Sequence, residues 1–557
     1  MKALLLPFER RYVVLTLAVI ATIVVFLLAQ RWSGFWILFV PFVALSILGF
    51  RDLTQPRHSV LRNYPITAHA RFILEKIRPE IRQYFLEDDL NGTPFARKKR
   101  AIVYQRAKGQ LDKVPFGTQL DVYDNSFEWM NHSLAALDPS TEPFRVVIGG
   151  PQCAHPYTAS IFNISAMSFG SLSANAIRAL NKGAKRGGFA HDTGEGGLSP
   201  YHQEQGGDLI WEIGSGYFSC RNADGSFSAE QFVKNAQLEQ VKMVEIKLSQ
   251  GAKPGHGGVL PAAKVSPEIA ITRGVPMGVD CVSPPTHSAF STSVGLLEFV
   301  QKLRELSGGK PVGFKLCIGH PWEFLAICKA MLKTGITPDF IVVDGAEGGT
   351  GAAPLEFVDH LGMPLRDGLT FVHNALIGVD LRDKICIGAA GKITTAFDIA
   401  RVMALGADWC NAARGFMFAL GCIQAQSCHT DRCPTGVATQ DPHRQRALVV
   451  DDKADRVFRF HQSTLKALAE VIAASGLSHP NELRLHHFSR RVGPSNVESF
   501  EQIYRAMERG ALIAGNAAPE FAESWARASA DSFLPSLVPV ASSVRMRASQ
   551  AAWRRMR

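Results

Sequence analysis

Residues 312–351 read VGFKLCIGHPWEFLAICKAMLKTGITPDFIVVDGAEGGTG. The run Val312–Cys317 is short and apolar with one lysine, and Phe340–Asp344 is β-branched and ends in an acid. Between them, Trp322–Thr334 repeats its apolar residues at helical spacing. Two short strands of buried type joined by one helix predict a parallel βαβ crossover, because strands covered on both faces lose the polar–apolar alternation. Gly348–Gly351 follows the second strand as a turn that can bring backbone N–H groups close to a ligand.

The same unit recurs on either side. Strands are expected at Asn163–Met167, Gly188–Asp192, Val244–Leu248, Gly278–Ser283, Val312–Cys317, Phe340–Asp344, Lys384–Ala389 and Asp408–Ala413. Helical patterns such as Val294–Leu306 and Thr394–Ala404 lie between several of them. Eight such strands predict an α/β fold closed as a (β/α)8 TIM barrel over residues 146–475. The interval 193–242 is too long for a simple crossover and is expected to be an insertion at the barrel mouth. Residues 55–145 read as a mixed, mostly helical lead-in, and Arg97–Arg100 within it as a solvated basic face. Residues 476–557 read as a capping segment, a small helical extension over Arg484–Val492 and Phe500–Ile513, and then a basic tail.

The chain has 557 residues and a net charge of +10, placed unevenly. Residues 1–62 carry seven Lys/Arg against two Asp/Glu, and residues 524–557 carry six Arg against one Asp. Each end is therefore +5 and the body between them sums to zero, which argues against nucleic acid as a partner and for basic ends facing an anionic membrane. No charge occurs between Arg11 and Arg31, nor between Arg31 and Arg51. Each interval is about one bilayer crossing, so residues 1–54 are expected to form a transmembrane hairpin with Trp32 and Trp36 at interface depth. Only Arg31 lies in the turn, and the positive-inside rule then puts both termini and the catalytic body in the cytoplasm. A cleaved signal peptide is the rival reading, and a second apolar segment directly after the first speaks against it. Ten scattered cysteines do not resemble a secreted disulfide scaffold.

Chemistry is expected at the C-terminal ends of the strands. Those ends carry Ser165–Gly170, Asp192–Gly197, then Lys247, Gln250 and Lys253, then Lys315, Asp344–Gly351, Gly388–Lys392 and Ala413–Gly415. Glycine-bearing loops after the seventh and eighth strands suit a phosphate, and an inward lysine suits negative charge on a reduced flavin ring. Together they predict FMN. Its binding residues are read as Ala166, Met167, Ser168, Lys315, Asp344, Gly348, Gly349, Thr350, Ala390, Gly391, Arg414 and Gly415. Past the eighth strand, Cys422, Cys428 and Cys433 form a C-x5-C-x4-C run closed by Pro434. This spacing fits a metal or iron–sulfur ligand set, or three buried structural cysteines, and matches neither zinc ribbons nor bacterial ferredoxins.

Several stretches carry a family resemblance: SAMSFGSLS at Ser165–Ser173, TGEGG at Thr193–Gly197, EIKLSQGAKPGHGG at Glu245–Gly258, KVSP at Lys264–Pro267, SPP at Ser283–Pro285, GGTGAAP at Gly348–Pro354, and Gly421–Gln440. The segment from about 146 to 475 resembles the FMN-binding synthase domain of glutamate synthase. The resemblance implies a barrel carrying FMN and a 3Fe-4S cluster, the latter on Cys422, Cys428 and Cys433. It implies that ammonia and a 2-oxo acid, 2-oxoglutarate in that family, form an imine that reduced flavin converts to the amino acid. Lys247, Gln250, Lys253 and Arg273 match family residues near the substrate, and Lys247 and Glu195 are read as catalytic.

Three positions depart from the family pattern. Val259 stands where the family has glutamine, Leu198 where it has glutamate, and His256 where glutamate is usual. A site that has exchanged polar groups for apolar ones should favour a different substrate. An amine-linked enzyme of N-methylglutamate synthase type, an amino-acid dehydrogenase, or a non-catalytic redox-responsive membrane module are the other functions compatible with these residues. The chain is expected to lack the amidotransferase domain, with no cysteine before Cys153, and to lack a Gly-x-Gly-x-x-Gly nicotinamide unit. Electrons are then expected from an external donor, a ferredoxin or a membrane carrier. Nitrogen would arrive as free ammonia, as an amine, or through a separate amidotransferase.

Overall fold

A parallel strand is satisfied only when both of its edges are paired, and here every central strand is. The computed structural model describes residues 10–536. Eight parallel strands pair in chain order and the eighth returns to the first, closing a barrel. They are β1 (Phe162–Ile164), β2 (His191–Asp192), β3 (Leu209–Ile213), β4 (Val241–Lys247), β5 (Val312–Leu316), β6 (Phe340–Asp344), β7 (Cys386–Ala390) and β8 (Trp409–Ala412). The barrel of the (β/α)8 type read from the sequence is therefore observed.

Local chemistry sets the helix boundaries around it. Ser173 accepts the Ala176 N–H to start Ala174–Gly187, and Gly188 at φ 62° ends it. A capping box of Thr395 and Asp398 starts Ala396–Ala404. Pro321 and Gly335 bound Pro321–Thr334 in the same way. The long helix Val450–Ala474 lies against Ala174–Gly187. A Cβ on Gly183 would stand 2.6 Å from Val457, so only glycine allows that approach.

Two sequence readings are corrected. The third barrel strand is Leu209–Ile213, inside the interval 193–242 that was expected to be an insertion. Gly278–Ser283 is not a barrel strand; Cys281–Val282 instead pairs antiparallel with Val259–Leu260. The true excursion is the 248–292 stretch between β4 and the helix Ser293–Leu306. Glu212 hid the third strand, because a charge in the middle of Leu-Ile-Trp-Glu-Ile breaks the apolar run that identifies a doubly covered strand. That charge has a partner only in the closed barrel.

The segment after residue 476 contributes two strands as well as short helices. Phe488–Arg491 pairs with Glu128–Met130 and with Val497–Ser499. Glu128, nearly buried, binds Arg366, Arg401 at 3.0 Å and Arg490 at 3.9 Å, and ties this sheet to the barrel helices. The basic tail beyond Ser536 lies outside the described residues.

The chain divides into two compact units, Met1–Arg97 and Lys98–Arg557. In the first, α1 (Val13–Ala29) and α2 (Trp36–Thr54) form an antiparallel hairpin, followed by α3 (Ser59–Asn63) and α4 (Ala68–Ile81). Arg10–Ala29 and Ser33–Thr54 are long and apolar enough to cross a membrane by length and composition. The Thr22 and Ser46 hydroxyls meet at 2.9 Å between the two helices, and Thr22 also donates to the Ala18 carbonyl.

Candidate active site at the barrel mouth

Below the mouth, five charged residues from consecutive strands point inward: Asp192, Glu212, Glu245, Lys315 and Asp344. Lys315 binds Glu212 and lies 3.2 Å from Glu245. Burial would drive the Lys315 pKa down, but Glu212, Glu245, Asp192 and Asp344 hold it well above the usual lysine value. Four carboxylates around one ammonium cannot all stay ionised. Burial and the field of Glu212 push Asp192 up to about 7, against the pull of Lys315 and the Gly194 N–H. Burial likewise raises Glu245 and Asp344. The carboxylates of Asp192, Glu212 and Glu245 lie within 4.8 Å of one another, and the lysine already supplies the cation there.

Above this core, loops from several strands line a cleft open to solvent. Ala166, Met167 and Ser168 come from the β1 loop, Glu195 from the β2 loop and Glu212 from β3. Gln250, Lys253, Val259, Lys264 and Arg273 come from the β4 excursion. Gly349 and Thr350 follow β6, Arg414 follows β8, and Cys428 and His429 complete the wall. The loops touch closely. A Cβ on Gly251 would stand 1.8 Å from the Gly345 carbonyl oxygen, and the Gly251 N–H donates to Asp344 at 2.9 Å, clamping the β4 loop onto β6.

The wall is cationic, and its cations differ in how much they are already used. Lys247 is nearly buried behind the cavity with its ammonium 2.8 Å from Glu195. Burial alone would raise the Glu195 pKa; Lys247, then Arg273 and Lys253, outweigh it and hold the carboxyl below the usual range. His287 braces this pair, donating from Nε2 to the Lys247 carbonyl at 2.9 Å and facing the Tyr217 hydroxyl at 3.1 Å. Burial lowers its pKa to about 4, so the ring is neutral. Lys253 is 2% exposed, and its ammonium has neither a hydrogen bond nor an ion pair among the described residues. Burial pulls its pKa down, with Glu195 opposing. Arg273 donates from Nη2 to the Phe169 carbonyl at 3.0 Å and stacks over Phe218 at 5.2 Å, while its buried Nε has no partner.

Several predicted residues line the cavity directly: Ala166, Met167, Ser168, Glu195, Gln250, Lys253, Arg273, Gly349, Thr350, Arg414 and Cys428. Others stand behind it. Lys315 sits in the interior charge cluster, and Asp344 holds Gly251. Gly348 turns back on the Gly345 carbonyl, Ala390 is buried in β7, Gly391 faces Leu365, and Gly415 faces Phe460. Of the departures, Val259 lines the cavity and Leu198 does not; it is buried with its N–H on Ser219. His256 packs edge-on against Phe357. Arg414 forms no ion pair among the described residues, so a cation beside the Gly349 turn is free to meet a phosphate.

The cysteine run is strapped to this wall. Ser173 donates to the Gly436 carbonyl at 2.7 Å, and Gln440 donates to the carbonyls of Gly170 and Leu172. A Cβ on Gly351 would stand 3.6 Å from Cys428. Burial and the neighbouring thiols raise Cys422 to about 11, with the Gln424 N–H and Arg414 opposing. Burial would also raise Cys433, but the Thr435 hydroxyl and the N–H groups of Ala438, Thr435 and Val437 lower it. Thiolate is the form that binds iron, and donors aimed at a sulfur stabilise it.

Two residues escaped the sequence reading. Lys264, 3% exposed, donates to the carbonyls of Ser171 and Ala438, both at 3.2 Å, and feels Cys428 and Cys433. Its signal was the KVSP stretch that the family comparison already contained. Tyr104, in the helix Arg97–Lys108, donates to the Cys422 carbonyl at 2.6 Å and had no sequence signal, since 318 residues separate the two.

The relatives of this barrel make it an oxidoreductase. The model of the conserved region in glutamate synthase matches residues 125–478. The "Glutamate synthase large subunit-like protein YerD" of Bacillus subtilis is 38% identical over 507 residues, covering 84% of this chain and 96% of that protein. An "Archaeal-type glutamate synthase [NADPH]" of Thermotoga neapolitana is 34% identical over 58% of this chain, and an "Archaeal glutamate synthase [NADPH]" of Methanocaldococcus jannaschii is 35% identical over the same share. The match spans 60% of the length of each of these two. The chain belongs to the glutamate synthase family.

Proposed function

We propose that this chain is an FMN- and iron–sulfur-dependent reductase of imines formed from 2-oxo acids, anchored to a membrane by α1 and α2. The observation that carries the reading is Lys253, a buried ammonium without a partner on the cavity wall, beside Arg273 with its orphaned Nε. Buried cations without partners are expensive unless a ligand supplies the counter-charge. A substrate carboxylate does that, and Gln250 offers a further hydrogen bond.

Gly349, Thr350 and Arg414 would hold FMN, with Arg414 toward its phosphate, and the bound, reduced group would supply hydride. Ammonia or an amine condenses with the 2-oxo carbonyl and expels water. Reduction would add that hydride to the imine carbon and a proton from solvent to the nitrogen. Lys253 and Arg273 orient the acid through its carboxylate. Glu195, held ionised by Lys247, keeps its oxygens on the cavity side, where it accepts the proton that the attacking ammonia or amine gives up. Cys422, Cys428 and Cys433 would hold a 3Fe-4S cluster against the same wall, and electrons would reach it from an external donor.

Val259 favours a second reading of the substrate, in which the 2-oxo acid or the amine carries an apolar group where 2-oxoglutarate carries its second carboxylate. The test is a screen of 2-oxo acids with ammonium or alkylamines, using the dithionite-reduced, cofactor-loaded enzyme. Turnover of at least one pair is expected. A fully loaded, reducible enzyme that turns over none, and whose flavin spectrum no 2-oxo acid perturbs, overturns the proposal.

A further inference from the structure

In the first unit, α4 (Ala68–Ile81) runs on through one wider turn to Leu86. At 100° per residue, Ile73, Leu74, Ile77, Ile81, Tyr84 and Phe85 fall in one arc of about 120°. Arg71, Glu75, Lys76, Arg78, Glu80 and Arg82 lie on the rest, together with Phe72 and Pro79, with four basic groups against two acidic ones. The apolar arc is open: Ile73 is 60%, Leu74 58% and Phe85 82% exposed. A helix of a water-soluble domain turns such an arc toward a core.

Its position is fixed relative to the hairpin. Asp52, 2% exposed in the last turn of α2, accepts the Ile66 N–H at 2.9 Å and the His69 ring nitrogen at 2.9 Å. Arg11, just before α1, donates to Asn63 in α3 at 3.1 Å. The start of α4 is thereby held where both apolar helices end, at the level of Arg10, Arg11 and Arg51. If α1 and α2 cross a bilayer, that level is the headgroup layer.

We infer that the helix 68–86 lies flat in the headgroup–acyl boundary of an anionic bilayer, apolar arc toward the chains and Arg71, Arg78 and Arg82 toward the phosphates. The inference rests on the bilayer reading of the hairpin. A helix with this pattern, open apolar side chains and net positive charge binds anionic interfaces through buried apolar area plus headgroup attraction. It would fix the first unit against rotation about the hairpin.

The test uses the full chain in vesicles of phosphatidylethanolamine and phosphatidylglycerol with alkyne-tagged acyl chains. A benzoylphenylalanine photocrosslinker replaces Leu17, Glu75, Ile77 or Phe85, all exposed positions where it fits without repacking. Acyl-chain adducts are expected at Ile77 and Phe85 within about twofold of Leu17, and at Glu75 at least about fivefold lower. Lipid adducts at Leu17 alone, or a second copy of the chain captured at Ile77, overturn the inference and leave the hairpin reading standing. No lipid adduct at Leu17 overturns both.

Discussion

The Lys247 ammonium lies 2.8 Å from the Glu195 carboxylate, so one of the cations that the family pattern assigns to the substrate is already neutralised within the protein. Glu195 presents the other side of that pair to the cavity. Substituting Glu195→Gln removes the proton acceptor and frees Lys247. Loss of a positioned general acid–base group lowers turnover by about 10²-fold or more. Steady-state rates of the reduced enzyme should show this mainly in kcat. A change confined to KM would assign Glu195 to binding instead.

The same pair has a pH signature. The folded-state pKa of Glu195 is lowered, so its contribution to stability is present above the ordinary value of 4.5 and is lost as pH falls through the lowered value. Wild type should therefore lose more stability than Glu195→Gln on acidification below 4.5. Paired thermal melts at neutral and acid pH measure the difference, and parallel curves would exclude the coupling.

Asp192 behaves in the opposite sense. Its folded-state pKa of about 7 lies above the ordinary 3.8, so the folded state disfavours its ionised form, and stability falls as pH rises between those values. Asp192→Asn should raise Tm more at pH 8 than at pH 5. Infrared difference spectra should show a protonated carboxyl band that disappears above about pH 7 and is missing in the variant.

Lys253→Met replaces an unpaired buried cation by an apolar group of similar length. The apoprotein should be no less stable, because the ammonium makes no hydrogen bond or ion pair and Lys247 still holds Glu195. The KM for the 2-oxo acid should rise by about 10- to 100-fold, the worth of one charged hydrogen bond. A lower Tm with unchanged KM would show that Lys253 serves the fold alone.

Cys428→Ser should abolish the cluster, read as loss of iron and acid-labile sulfide from the purified protein. Tyr104→Phe removes only the hydroxyl that anchors the Cys422 carbonyl. Iron content should be retained, while its release to a chelator should speed up several-fold, in line with a loss of about 1 kcal/mol. Equal release rates would remove Tyr104 from the cluster's support.

Val259→Gln restores the hydrogen-bonding group that the family pattern has at this cavity position. The preference among 2-oxo acids should move toward 2-oxoglutarate by about 10-fold or more. An unchanged preference order would place specificity elsewhere on the wall.

Much of this protein was legible before folding, and the reason is local. Strands covered on both faces, capped helices and glycine turns announce themselves within a few residues, and so do two uninterrupted apolar stretches of bilayer length. Seven of the barrel strands coincide with runs of that kind. The remaining one, β3 (Leu209–Ile213), was not legible because Glu212 belongs in the interior only when Lys315, 103 residues later, is opposite it. The cavity-lining loops could be named from the strand ends, and most of their predicted residues do meet at one space.

Which of those residues are available was decided by the tertiary structure alone. Lys247, Lys253, Arg273 and Lys315 are alike in sequence as basic residues. Only closure of the barrel gives Lys247 to Glu195 and Lys315 to Glu212, leaving Lys253 unpaired and one nitrogen of Arg273 without an acceptor. The reason is that the charge of a side chain is written in the sequence, whereas its partner depends on distances between strands that the chain order does not state.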